Sequence, residues 1–257
     1  MTPGRVHFYH VFLFTHGAGN HTIDFHNYAY DTETLLLVAK GQVQQFQINH
    51  AVKGWLVIFT PEFLYENATE LDLAHGLRVF EHALFSPRLR LTSEQRSLFI
   101  SLGRVLEHEY NKPTDELSNE ILRHLLRVLL LHIERIQQSS ARNQRVASHY
   151  QEFIAFHRLV ERDLAQSRSV QYYARQLASS PKKLNALTRQ TLNKTAKEFI
   201  EEQVILEARR LLAQGKMPIK EIAYQLGLSE PTNLVKFFKK HTRTSPTAFR
   251  QQFQLAA

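Results

Sequence analysis

Cysteine is absent from the 257 residues, and that absence closes several routes at once. The chain can build no disulfide framework, no cysteine nucleophile, no thiolate zinc finger and no iron–sulfur cluster. Long apolar runs are also missing. The most apolar stretches, LLLVA at 35–39 and LLRVLLLHI at 125–133, are too short or too interrupted for the ~20 apolar residues of a membrane span. The opening MTPGRVHFYH lacks the cationic segment and apolar stretch of a secretory signal. The expectation is a soluble cytoplasmic protein with no membrane partner.

What is present is a 43% hydrophobic fraction, enough for a real core, and an uneven charge. Residues 1–150 carry 14 Lys+Arg against 15 Asp+Glu, whereas residues 151–257 carry 18 against 9. A neutral part joined to a basic part points to nucleic acid, or another anionic surface, as the partner of the second.

The hydrophobic period divides the chain further. From Val6 to about Leu64 the segments HFYHVFLF, HTIDFH, ETLLLVA, VQQFQI and GWLVIF read as short strands between Gly/Asn/Asp turns, the spacing of a sandwich or small barrel. From Thr92 the period becomes helical. Leu98, Leu102, Val105 and Leu106 form one stripe; Ile121, Leu122, Leu125, Leu126, Leu129, Ile133 and Ile136 form a stronger one. The turn NKPTDE separates the two helices, with Thr114 or Asp115 as cap of the second. The stronger stripe is wider than packing on one sheet requires, so Leu122, Leu126, Leu129, Leu130 and Ile133 are the expected dimerisation residues. QQSSARNQRVAS is polar and unpatterned. The domains expected are therefore 1–136, short strands followed by helices over about 92–136; 137–149, a linker; and 150–257, a basic helical domain.

The last of these repeats itself. Ala174, Leu177 and Ser180 recur as Ala223, Leu226 and Ser229; after a one-residue insertion Leu184, Leu187 and Phe199 recur as Leu234, Phe237 and Phe249. Each copy has a short amphipathic helix, a sharp turn and a second helix. In the later copy Gly227 ends the first helix, Ser229 has the type of an N-cap, and Pro231 lies in the first turn of the next. This is a helix-turn-helix pattern. Its second helices offer polar faces of Lys182, Lys183, Asn185 and Arg189 in one copy and Thr232, Asn233, Lys236, Lys239 and Lys240 in the other, candidates for contact with double-stranded DNA. Asn185 suits a base edge, adenine being the natural partner of an amide, while Lys239 and Lys240 suit phosphate. TAKEFIEEQVILEARRLLAQG joins the two copies as one linker helix.

IKEIAYQLGLSEPTNLVKFFKKHTRTSPTAFR, Ile219–Arg250, resembles the AraC/XylS family of bacterial transcription regulators, with Leu234 where an aromatic is usual and Arg243 where glycine is usual. The likeness extends over about 150–254, and HFYHVFLFTHGAGNHTIDFHNY, LLLVAKGQVQQFQ and GWLVIFTPEFL look like the family's sensor. The resemblance implies a two-domain chain: an N-terminal all-β cupin-like barrel with trailing dimerisation helices, and a C-terminal all-α domain of two helix-turn-helix units. It implies a homodimer acting on promoter DNA, usually as an activator and then with RNA polymerase as partner, and a small-molecule effector in the barrel. Phe12, Phe14, Phe46 and Trp55 are the aromatic candidates to line its pocket.

Two alternatives compete. Twelve of the 14 histidines precede residue 151, which raises a cupin-type metalloenzyme. Strand geometry opposes it, because His7 and His10, like His21 and His26, are odd distances apart and point to opposite faces of a strand. No His-x-His with a following glutamate occurs, and a DNA-repair methyltransferase with the same reader would need a cysteine. An architectural DNA-binding protein would leave the N-terminal half without a purpose. No catalytic residue, metal or other cofactor is expected.

Overall fold

A computed structural model describes residues 4–46, 52–65, 78–140, 144–215 and 217–254. The chain divides into two compact units, Arg5–Ser140 and Ala141–Ala257.

The first unit has eight described strands: β1 (Gly4–Arg5), β2 (Tyr9–His16), β3 (Gly19–Ile23), β4 (His26–Tyr30), β5 (Thr34–Val38), β6 (Val43–Phe46), β7 (Lys53–Phe59) and β8 (Arg88–Arg90). They form two four-stranded sheets, ordered β1-β6-β3-β4 and β7-β2-β5-β8. The expected barrel is therefore not closed: among the described residues no ladder joins the sheets. HTIDFH, expected as one strand, is instead a hairpin. Asp24 and Phe25 both have positive φ, 45° and 69°, the backbone of a tight two-residue turn. The strain in two side-chain-bearing residues is offset by the buried Asp24 carboxylate, which accepts hydrogen bonds from Gln42 Nε2 at 2.8 Å and from Val43 N at 3.0 Å.

Every residue of β5, TLLLV, is buried, because its sheet is covered on both faces. Successive side chains alternate. Leu36 and Val38 join Phe12, Phe14, Ile23 and Tyr30 in a core between the sheets. Leu35 and Leu37 join Val11 and Leu13 against helices. Those helices are α1 (Pro61–Tyr65), α2 (Arg78–Ala83), α3 (Ser93–Tyr110) and α4 (Ser118–Ser140). Thr92 opens α3 with a full capping box to Gln95. Asp115 precedes α4, its Oδ1 accepting from Leu117 N at 3.0 Å.

The expected dimerisation residues belong to this core. Leu126, Leu129, Leu130 and Ile133 are at most 3% exposed, packed with sheet and α2 residues, and Leu122 is half-buried. Leu126, Leu129, Leu130 and Ile133 therefore offer no surface to a second copy. The stronger stripe of α4 is the one its own sheet takes up, and a second stripe stays outside: Leu117, Ile121, Val128 and Leu131, between 38% and 60% exposed. Of the expected 137–149 linker, residues 141–143 lie outside the described residues. Residues 137–140 complete α4 and residues 144–149 begin the next helix, since polar, alanine- and glutamine-bearing sequence supports a helix without apolar periodicity.

The second unit is α5 (Gln144–Asp163), α6 (Val170–Gln176), α7 (Pro181–Leu192), α8 (Ala196–Ala213), α9 (Ile219–Gln225), α10 (Pro231–Thr242) and α11 (Pro246–Gln254). Helix α8, 18 residues and hence about 27 Å long at 1.5 Å per residue, packs against all six others. Phe153 and Phe156 of α5 meet its Phe199 at 5.2 and 5.5 Å between ring centroids.

Candidate nucleic-acid interface

The repeat seen in the sequence is a repeat of element boundaries. Helix α6 maps onto α9 with an offset of 49 residues at both ends, and α7 onto α10 with an offset of 50. The turns repeat in the same way. Ala178 and Gly227 are left-handed, φ 46° and 72°, and the next amides, of Ser179 and Leu228, return to Ala174 O at 2.8 Å and Ala223 O at 2.9 Å. Asn193 and Arg243 end the second helices in the same backbone region, φ 56° and 60°. Asparagine is at ease there; arginine stands in for the glycine that the family resemblance implies.

Glycine at 227 meets two demands. A Cβ there would lie 1.9 Å from the carbonyl oxygen of Ala165, in the loop between α5 and α6. From that loop Arg168 donates to Leu226 O at 3.1 Å and lies over the Phe237 ring at 5.1 Å. The second helix-turn-helix is thus seated on the segment that leads into the first.

Both candidate recognition helices open at a proline, but with different N-caps. Ser180 Oγ accepts from Lys183 N at 3.1 Å ahead of Pro181. In the second unit the N-cap is Glu230, not the expected Ser229, because the inserted residue moves the residue before Pro231 by one. Glu230 also accepts from Thr232 Oγ1 at 3.2 Å.

The outward faces follow from what is buried. In α7, Leu184, Leu187 and Thr188 face the core, so Lys182, Ala186, Arg189 and Gln190 stand on the exposed side. In α10, Leu234 and Phe238 are buried and Phe237 is half-buried, leaving Thr232, Asn233, Lys236, Lys239 and Lys240 exposed. Two of the expected DNA-facing side chains are engaged elsewhere. Lys183 forms an ion pair with Glu152 of α5 at 2.8 Å. Asn185 has both ends of its amide occupied: Nδ2 donates to Pro181 O at 2.9 Å and Oδ1 accepts from Ala196 N at 3.0 Å. The amide expected to reach a base edge is thus engaged within the protein. Ala186 and Gln190 are additions to the face read from sequence; the helical period places both away from Leu184 and Leu187, and that signal was available.

The aromatic candidates of the first unit separate into two places. Phe12, Phe14 and Phe46 stand together between the sheets, with centroids 5.9–6.5 Å apart and nearly parallel planes, beside Tyr30 and His21. Trp55 points to the other face of its sheet, over Gly103 of α3, where a Cβ would come within 2.7 Å of the indole, and donates Nε1–H to Glu107 at 3.0 Å. Gln44 bridges two buried histidines between the sheets, its amide oxygen 2.9 Å from His21 Nε2 and its nitrogen 2.8 Å from His10 Nδ1. Burial lowers both imidazole pKa values, that of His21 to about 4. Tyr30 Oη and His21 Nδ1 are buried without a hydrogen-bond partner. Among the described residues, no three His, Asp or Glu side chains group as a metal site.

Comparison with known proteins agrees with this arrangement. The helix-turn-helix domain family matches residues 173–252. Over 77 residues the chain is 34% identical to the arabinose operon regulatory proteins of Salmonella typhimurium and Escherichia coli, a match covering 30% of this chain and 27% and 26% of theirs. It is 35% identical over 57 residues to the probable transcription factor PqrA of Proteus vulgaris, covering 22% of this chain and 47% of that one. The matched segment thus spans about a quarter of the arabinose regulators' length. A structure of ToxT from Vibrio cholerae, bound to (E)-4-(8-methylnaphthalen-1-yl)but-3-enoic acid, covers 98% of this chain and 93% of its own at 14% identity, with a TM-score of 0.51, so the two share a fold. With its paired, basic helix-turn-helix units, the segment 173–252 is thus a helix-turn-helix domain similar in sequence to parts of these regulatory proteins.

Proposed function

We propose that this chain is a sequence-specific regulator of transcription that binds double-stranded promoter DNA through α7 and α10. The observation that carries the reading is the duplicated pair: two helices of 12 residues, each opening on a proline, each with its apolar side buried and its basic side exposed. In a helix-turn-helix the second helix enters the major groove. The rod α8 that links the two, about 27 Å long, is of the same order as the ~34 Å between successive major grooves on one face. In this reading the exposed Lys182, Arg189, Gln190, Thr232, Asn233 and Lys236 contact bases or nearby phosphates, and Lys239 and Lys240 contact phosphate.

The first unit serves as sensor in this reading. A small effector is received between its sheets at Phe12, Phe14 and Phe46, where two buried polar atoms await partners; Trp55 is outside that site. A homodimer forms through the outer stripe of α4, since Leu117, Ile121, Val128 and Leu131, with His124 between, follow the alternating spacing of four and three of a helix seam. The protein acts in the cytoplasm as an activator, with RNA polymerase as its partner. No described helix is long and apolar enough to cross a membrane.

The test is selection of duplexes from a randomised pool by the full chain, followed by footprinting. The expected result is a selected sequence protected in two patches one helical turn apart on one face. Equal affinity for selected and random duplexes would refute the reading, and so would a single protected patch.

A further inference from the structure

The two helix-turn-helix units solve one local problem by different chemistry, and the difference assigns a role to Asn185. The first amides of an α-helix have no acceptor within the helix. At the start of α8, Thr195 takes one of them, accepting from Glu198 N at 3.2 Å, and Asn185 takes another, accepting from Ala196 N at 3.0 Å. Ala196 is fully buried, so water is a poor substitute for that acceptor. Asn185 sits in the middle of α7, and its Nδ2 donates back to Pro181 O at 2.9 Å. One side chain thus fastens the recognition helix to the first residue of the rod.

Fifty residues on, the counterparts are Val235 and Pro246. Pro246 opens α11 as Ala196 opens α8 and is likewise buried, yet it has no N–H to satisfy. The residue at the position of Asn185 is accordingly apolar. The second unit needs no amide tether, and the first cannot do without one unless both positions change together.

We propose that Asn185 is a positioning residue of the first DNA-reading unit: it sets how α7 leaves α8, and thereby aims Lys182, Ala186, Arg189 and Gln190, without itself reading a base. This rests on the DNA-binding reading above. Four outcomes are separable by measuring wild type, Asn185→Ala, Asn185→Val, and Asn185→Val combined with Ala196→Pro, each as the full chain and each verified as folded by circular dichroism. The probes are the duplex selected by wild type, its single-base variants and random duplex.

Positioning predicts that Asn185→Ala and Asn185→Val each lose about five- to tenfold in affinity for the selected duplex, the factor that corresponds to one hydrogen bond of ~1 kcal/mol or slightly more. The pattern of base preferences should stay the same across the first half-site, and the double variant, which installs the second unit's pair, should return affinity to within about twofold of wild type. Relaxation at one base position that the double variant fails to restore would overturn the proposal in favour of direct readout. Unchanged affinity in folded Asn185→Ala would overturn it in favour of a cap that only stabilises. If wild type itself selects no sequence, the DNA-reading proposal fails first and takes this one with it, a result distinguishable from the other two.

Discussion

Replacing Gly227 by alanine tests the claim that the second helix-turn-helix is seated directly on the α5–α6 loop. Two penalties add. A side chain bearing Cβ in the left-handed region costs about 1 kcal/mol. The new methyl would also come 1.9 Å from Ala165 O and 2.7 Å from its carbonyl carbon, and a backbone carbonyl cannot swing aside as a side chain tip does. Overpacking of this kind costs about 1–3 kcal/mol, so the sum is about 3 kcal/mol. The chain carries its own control. Ala178 occupies the matching turn at φ 46° and is exposed, so Ala178→Gly isolates the backbone preference and should gain about 1 kcal/mol at most. Urea unfolding of the full chain reads the first unit alone through Trp55, the sole tryptophan, and the second chiefly through the helical signal, of which its seven described helices hold the larger share. With a slope of about 2 kcal/mol/M, Gly227→Ala should lower the helix-reported midpoint by about 1–2 M and leave the Trp55 fluorescence midpoint in place. A loss no larger than the gain from Ala178→Gly would show that the close approach to Ala165 is not tight and that glycine is there for its φ alone.

Lys239→Ala with Lys240→Ala should weaken binding to selected and random duplexes alike, and reduce the slope of log affinity against log salt by about two, one for each phosphate no longer neutralised; an unchanged slope would remove both lysines from the interface. Acid should destabilise both units through buried histidines. His21 and His157 are each lowered from 6.5 to about 4 chiefly by burial, with Arg210 adding to the effect at His157; folding therefore favours the neutral rings, and stability is full above pH 6.5 and lost as pH falls towards 4, by about 3 kcal/mol per histidine. His21→Gln should flatten that dependence in Trp55 fluorescence and leave it in the helical signal, whereas a fall in both would show that other groups dominate. On α4, Val128→Glu with Leu131→Glu should yield a folded monomer in sedimentation, while Leu126→Glu with Leu130→Glu should unfold the first unit; a folded dimer from the former pair would dismiss the outer stripe.

Much of the second unit is legible in the sequence because its turns are encoded by adjacent residues. Gly227, Ser180-Pro181 and Pro231 act on backbone geometry within one turn, and the apolar period states which side of each helix is buried, so the repeat and its two exposed basic faces can be read directly. The first unit is less legible because its decisions are made between segments distant in sequence. Helix α4 carries two apolar stripes, and only the arrival of β2 and β5 against one of them decides that Leu126, Leu129, Leu130 and Ile133 become core while Val128 and Leu131 stay outside. Trp55 is one residue from the opposite face of β7, and strand register, not composition, puts it over Gly103 instead of beside Phe12 and Phe14. Asn185 shows the same division within a single side chain. Its polarity and its place on α7 follow from the sequence, but an amide takes whichever partner lies within about 3 Å, and the unsatisfied N–H of Ala196 is brought there only when α7 packs against α8.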